Sequence, residues 1–227
     1  NVVMGRHAGV LTAAAGLARD PNGHPDDGPH VICVPEVAFD LDTFVDKVAE
    51  VYDRLGRCQI AVSEGIQDRD GNAIGAMLIQ GEADAHGNVQ LSGSGALGDQ
   101  LSNVLKERLK PASGKAPRVR ADTLGYLQRC WPDASPIDQD EARRAGRYAA
   151  NRAASGDLDG SVAIIRTGKG YDGEAYASEL DRIELTQVAA QTKHMDPEYM
   201  QGDFDISQKF RDYCTPLLGE LPTFGRL

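Results

Sequence analysis

Asn1-Val2-Val3-Met4-Gly5-Arg6-His7-Ala8-Gly9 opens the chain as an apolar run that gives way to a glycine, an arginine and small residues. The run Asn1 to Met4 reads as the end of a strand. The residues from about Ala8 to Arg19 read as a helix whose Ala-rich surface permits close packing. A glycine between strand and helix lets a backbone approach a ligand closely, and a helix N-terminus favours anions. Arg6 adds a permanent charge with bidentate geometry. The same residues also suit an ordinary strand-to-helix turn carrying a surface arginine, and this stretch alone does not separate the two.

Working outward, strand and helix patterns alternate, the signature of an α/β architecture. Val31-Ile32-Cys33-Val34 is a short apolar run of the buried, parallel type, ended by Pro35-Glu36. Asp40 is placed to cap a helix with Phe44, Val48, Val51 and Leu55 on one face, and Gly56 to close it. Gln59 to Ser63 is the next expected strand. Gln67 to Gly95 is Gly-rich and polar, with Asp70-Gly71 and His86-Gly87-Asn88 marking turns of expected hairpins. Leu97, Leu101, Val104, Leu105 and Leu109 define an amphipathic helix. Further on, Ser135-Pro136 opens a long helix, with Asp138, Asp140 and Glu141 suited to the positive end of its dipole. Ser161 to Ile165 is a strand, and Tyr171 onward pairs with it or with something outside the chain. Ile206, Phe210, Tyr213 and Leu217 fall at the spacing of a last helix. Pro111 to Pro117 is the expected surface loop.

The 227 residues are 41% apolar and 26% charged, enough for a sizeable core in one or two domains. The net charge of −10 argues against a nucleic-acid or membrane-surface role, which would want a basic face. Any anionic ligand would therefore have to meet a local basic cluster inside an acidic protein. No run of 18 apolar residues suggests a transmembrane helix, and no secretory signal is visible. Cys33, Cys58, Cys130 and Cys214 are widely spread without a CxxC pair, as expected of reduced thiols in a cytoplasm.

Two further stretches could carry chemistry. Glu64, in Ser63-Glu64-Gly65, follows a buried-type strand, where ligands of open α/β sheets sit. A carboxylate there accepts well from sugar hydroxyls, or it is a solvent-facing glutamate at a turn. Arg120-Ala121-Asp122-Thr123-Leu124-Gly125-Tyr126-Leu127-Gln128-Arg129 holds two arginines and a phenol. They could grip a phosphate with charge-assisted bonds of about 1.5–3 kcal/mol each, or pair with some of the 34 acidic residues. Read as extended strand, Arg120 to Arg129 spans roughly 30 Å, too far for both to reach one phosphate from one chain. Gly93-Ser94-Gly95-Ala96-Leu97-Gly98 matches a dinucleotide fingerprint but lacks a well-placed acidic partner, so it reads as a tight turn into the helix at Leu97. The five histidines lack ligand spacing for zinc. Asp68, Asp70 and Asn72 begin like a calcium loop, but Ala73 and Ile79 break it, leaving a turn.

In this order, Met4-Gly5-Arg6, Ser63-Glu64-Gly65 and the Arg120 to Arg129 stretch resemble the sugar-phosphate half of the 6-phosphofructokinases. The likeness is collinear over nearly the whole chain. It implies a phosphofructokinase-like α/β fold in which residues 1–128 form a parallel-sheet sugar-phosphate domain. Residues 129–227 would then be a helix/strand segment, with a C-terminal helix, belonging to a missing first domain. By the resemblance, Met4, Gly5, Arg6, Glu64, Tyr126 and Arg129 bind fructose 6-phosphate, and Arg120 reaches its 6-phosphate from a neighbouring subunit of a homo-oligomer. Arg6 is the catalytic residue, stabilising charge on the transferring phosphoryl group. Tyr126 stands where many ATP-dependent bacterial members carry a histidine. With the insertion ending in Val89-Gln90-Leu91 and the tail Lys193-His194-Met195-Asp196-Pro197-Glu198-Tyr199 followed by Phe210 to Leu218, it resembles the long pyrophosphate-using branch. Cys130-Trp131 replaces the family's frequent Gly-Gly.

The family's donor loop and aspartate-rich catalytic loop lie before its Met-Gly-Arg motif. Pyrophosphate or ATP, Mg2+ and the catalytic base are therefore expected in a missing N-terminal half, with no metal ligands in this chain and no turnover by the chain alone. The implied activity is phosphorylation of the 1-hydroxyl of fructose 6-phosphate by pyrophosphate. An ATP-dependent enzyme and a non-catalytic sugar-phosphate-sensing subunit are the alternatives, and no nucleic-acid or membrane partner is expected. Residues from about Arg129 to Asp203 are expected to leave the apolar faces of Ile137 to Ala154 and Ser161 to Ile165 exposed.

Overall fold

Three of the apolar runs become strands of one parallel sheet. β1 (Val2–Val3) leads through α1 (Val10–Ala14) to β2 (Val31–Cys33), and α2 (Leu41–Leu55) leads to β3 (Ile60–Ser63). The order is β1–β3–β2, with Val2 opposite Val62 on one side and Cys33 opposite Val62 on the other. Our computed structural model of the chain describes residues 1–20, 23–78, 96–110, 116–130, 134–189 and 191–219, apart from the Arg129 side chain. The remaining elements are α3 (Ile74–Leu78), α4 (Ala96–Arg108), α5 (Pro136–Ala154), β4 (Ser161–Gly168), β5 (Ala177–Ile183), α6 (Leu185–Val188), β6 (Met200–Gln201), β7 (Asp205–Ile206) and α7 (Gln208–Cys214). They divide into two units, Asn1–Cys130 with His194–Ser207, and Trp131–Lys193 with Gln208–Leu227.

In the first unit, α2 is fixed at both ends by local chemistry. The Asp40 carboxylate accepts from Thr43 N at 2.8 Å, and Gly56 N donates to the Tyr52 carbonyl at 2.7 Å. Between the caps, Phe44, Val45, Val48 and Val51 are buried. Together with Val2, Val31, Val62, Ile66 and Leu97, Leu101 and Leu105 of α4, they form one core. Phe39 lies against Phe44 with ring centroids 5.1 Å apart. Each such side chain contributes about 1.5–3 kcal/mol by leaving water. Gly98, the part of the glycine-rich motif beyond Leu97, stands inside α4 against Val2 and Ala121. Gly93 to Gly95, His86-Gly87-Asn88, Val89-Gln90-Leu91 and Pro111 to Lys115 lie outside the described residues. Asp68-Asp70-Asn72 is a turn, the Asp68 carboxylate accepting from both later amides; an antiparallel bridge between Gln67 and Ala73 closes it as a minimal hairpin, and α3 follows.

The second unit contains an antiparallel pair, β4 and β5, with Ser161 opposite Ile183 and Arg166 opposite Ser178. The open question over Tyr171 onward is settled by this pairing, which starts at Ala177. Arg166 gathers the unit, lying over the rings of Tyr171, Tyr176 and Tyr213 at 6.0, 5.0 and 4.9 Å. It also donates to the Tyr213 carbonyl at 2.7 Å. The expected exposure is present: Ile164 and Ile165 are 49% and 45% exposed, and α5 buries Glu141 alone.

Three sequence expectations are corrected. The helix expected from Ala8 starts at Val10 and tightens to a 3-10 turn over Ala15–Ala18, where the Ile206 side chain packs so closely on Gly16 that a Cβ there would force it to shift. Ile206 belongs to β7 rather than the last helix: it pairs with Met200 in a hairpin turned at Gly202, and α7 begins only at Gln208. The stretch Arg120 to Arg129 is not one extended strand. It pairs with β1 only around Thr123 and then winds into a 3-10 helix over Gly125–Arg129. Among the described residues Val2 is its sole ladder partner, and Gly125 takes φ 50°, the left-handed region that breaks extension at little cost. The 30 Å separation inferred from an extended segment therefore does not hold.

Candidate functional site

The parallel sheet ends in a small constellation of backbone and carboxylate groups. Thr123 pairs in parallel with Val2, through Val2 N to the Asp122 carbonyl at 2.8 Å and Leu124 N to the Val2 carbonyl at 3.2 Å. The turn after Thr123 therefore leaves the sheet at the same carboxyl edge as Met4-Gly5-Arg6 and Glu64. That edge is where open α/β sheets bind ligands.

Side chains then tie the three stretches together. Met4 N donates to Gln128 Oε1 at 3.3 Å, and Gln128 Nε2 donates to the Gly125 carbonyl at 3.1 Å. Gly5 N faces Glu64 Oε1 at 3.5 Å, and the buried Ser63 hydroxyl donates to the Gly5 carbonyl. Gly5 has φ 142°, and a Cβ there would meet the Ala8 carbonyl at 2.5 Å. The backbone of Met4–Gly5 is thus held on both sides, by Gln128 and by Ser63–Glu64. Glu64 is half-buried and Arg6 exposed, while Tyr126, on the 3-10 turn, is 74% exposed.

The structure thus joins Met4, Gly5, Glu64 and the turn that carries Tyr126 and the backbone of Arg129. Arg120 is not among them. Because its segment runs parallel to β1 and Thr123 stands opposite Val2, Arg120 lies towards the amino edge of the sheet, beyond Asn1. It lines a separate cavity of about 460 Å³ floored by Phe44, Val48, Leu101 and Leu105.

One physical expectation changes. The first helix's amino end is already occupied by protein: Gly9 N donates to both oxygens of Glu36, at 3.0 and 3.1 Å. An anion at this edge would be met by side chains rather than by that helix terminus. Gln128 and Glu36 both escaped the sequence reading. Gln128 sat between the charged residues that drew notice, and Glu36 was read only as the end of a strand. Among the described residues, no group of three or more His, Cys, Asp or Glu is placed to hold a metal ion. All four cysteines are free thiols, and burial pushes Cys58 up to about 11, far from a reactive thiolate.

The sequence pattern of the family described as Phosphofructokinase matches residues 2–153. The chain is 48% identical over its full length to the pyrophosphate–fructose 6-phosphate 1-phosphotransferase of Rhodospirillum rubrum, covering 54% of that protein. It is 35% identical to the protein of the same name from Xanthomonas campestris, over 96% of this chain and 49% of that one. The chain spans about half the length of the curated relatives it matches. Among solved structures, the pyrophosphate-dependent phosphofructokinase of Marinobacter aquaeolei superposes with a TM-score of 0.69 at 28% identity, over 99% of this chain and 49% of that one. With the Met-Gly-Arg, Glu64 and Gln128 stretches gathered at one edge of a parallel sheet, these matches establish that the chain belongs to the phosphofructokinase family.

Proposed function

We propose that this chain supplies the acceptor half of an enzyme that transfers a phosphoryl group from pyrophosphate to the 1-hydroxyl of fructose 6-phosphate. The observation that carries the reading is the convergence of Met4–Gly5, Glu64 and the Gly125–Arg129 turn at the carboxyl edge of the sheet. In this proposal Met4 and Gly5 line the sugar and Glu64 accepts from its hydroxyls. Tyr126 and Arg129 hold the 6-phosphate. Arg6 stabilises the charge of the phosphoryl group in flight, the main task in a reaction governed by positioning and electrostatics. Arg120, directed to the other edge of its own sheet, reaches the 6-phosphate of a second copy in a homo-oligomer.

Mg2+ belongs to the proposed reaction, and its ligands and the donor site are assigned outside this chain on the family resemblance alone. A cytoplasmic, glycolytic setting is part of the same proposal. Among the described residues, no helix is long and apolar enough to cross a membrane.

The test is turnover of fructose 6-phosphate by an enzyme of full family length carrying this chain, with pyrophosphate or ATP as donor. Turnover with pyrophosphate is expected at roughly 1–1000 per second. ATP as the preferred donor would overturn the donor assignment, and turnover with neither would overturn the activity. Mixing Arg120→Ala and Arg129→Ala subunits tests the second-copy role. Partial recovery of fructose 6-phosphate affinity is expected, and none after verified subunit exchange would return Arg120 to its own chain.

A further inference from the structure

The loop that carries Arg6 is pinned at two separate places. Its first part, Met4–Gly5, is held by β1, Ser63, Glu64 and Gln128. Its last residue, Gly9, is held by Glu36 alone among the described side chains, through both carboxylate oxygens. Glu36 Oε1 also accepts from Met195 N at 2.9 Å, and the neighbouring His194 Nδ1 donates to the His7 carbonyl at 2.8 Å. A segment more than 180 residues further along the chain is therefore seated directly on Arg6-His7-Ala8-Gly9, and one carboxylate joins the two. Glu36 is half-buried and lies in the turn that follows β2, three residues beyond Cys33.

We propose that Glu36 is the positioning residue for Arg6, holding the Arg6 loop and the His194–Met195 segment as one unit, on the reading that Arg6 serves phosphoryl transfer. Without the carboxylate, the amides of Gly9 and Met195 lose a charged acceptor together. The loop is then released at its Gly9 end while Met4–Gly5 stays held. Positioning of Arg6 suffers and the sugar contacts do not, so the loss falls on turnover rather than on acceptor affinity.

The experiment uses the full-length enzyme. Glu36→Ala is expected to lower kcat by about 10- to 100-fold, the scale of a small misplacement of a reacting group. KM for fructose 6-phosphate should stay within about 3-fold, since a fall in kcat at constant KM marks the loss of an interaction made only in the transition state. Glu36→Gln, which keeps one acceptor oxygen, should recover part of the loss and guards against a failure to fold. In an Arg6→Ala background, Glu36→Ala should add less than about 3-fold, because coupled residues are not additive. Full additivity, an unchanged kcat, or a rise in KM with kcat intact would overturn the proposal. Amide exchange reads the clamp without any assay of turnover: in Glu36→Ala, peptides spanning Ala8–Val10 and His194–Asp196 should open together. Independent opening of the two would also overturn it, whatever the enzyme's substrate proves to be.

Discussion

Strands β2 and β4 are both rich in valine and isoleucine, yet they end in opposite surroundings. Val31 and Ile32 of β2 are wholly buried, whereas Ile164 and Ile165 of β4 are about half exposed. Their neighbouring helices differ in the same way. α2 buries four apolar residues on one face, and α5, four residues longer, buries only a glutamate. An apolar run thus sets the extended backbone, while burial depends on whether a second layer with a matching stripe lies over it. The first unit has that layer within the described residues.

The difference can be broken first by core deletion. Phe44→Ala should cost about 3–5 kcal/mol, because it removes a fully buried ring packed on Phe39. Ile164→Ala in the same chain should cost less than about 1 kcal/mol, as expected of partly exposed sites. Comparable losses in urea unfolding would mean that the β4 face is covered. Glycine substitutions give a smaller contrast. A Cβ at Gly65 would lie 2.0 Å from the Arg6 carbonyl, so Gly65→Ala should destabilise by about 1–3 kcal/mol. Gly146 in α5 faces open space, and Gly146→Ala should stabilise by about 0.5–1 kcal/mol. A loss there, read from Tm, would show that something packs on α5.

The smallest effect is in pH. The Thr43 amide and hydroxyl hold the Asp40 carboxyl below the usual carboxylate range. A depressed folded value means that its contribution is present above about pH 4 and disappears as pH falls through the folded pKa. Asp40→Asn, which still caps but does not titrate, should therefore lose less stability than the unaltered chain on acidification. Parallel acid denaturation curves would remove Asp40 as a source of that slope.

Much of this was legible in advance where the signal was local. Asp40 and Gly56 marked both ends of α2, and the runs at Val31 and Gln59 gave parallel strands, because caps and buried strands are written in neighbouring residues. The Gly125–Arg129 turn was missed because the chain there has the apolar and aromatic residues of a strand but only two residues of β1 to pair with. Ile206 was misread because helical spacing coincided with a hairpin whose partner, Met200, is set by Gly202. Met4, Gly5 and Glu64 were singled out through the family resemblance, since glycine and carboxylate at strand ends also suit ordinary turns. Gln128 and Glu36 act through backbone amides distant in sequence, and single-chain patterning carries no trace of that.

The most direct test of the acceptor site is calorimetric binding of fructose 6-phosphate and of pyrophosphate to the full-length enzyme and its Arg129→Ala variant. The site at the β1–β3 edge predicts a Kd for fructose 6-phosphate weaker by about 10- to 100-fold, roughly 1.5–3 kcal/mol, with pyrophosphate binding unchanged. Unchanged fructose 6-phosphate affinity with weakened pyrophosphate binding would place the donor, not the sugar phosphate, at this edge.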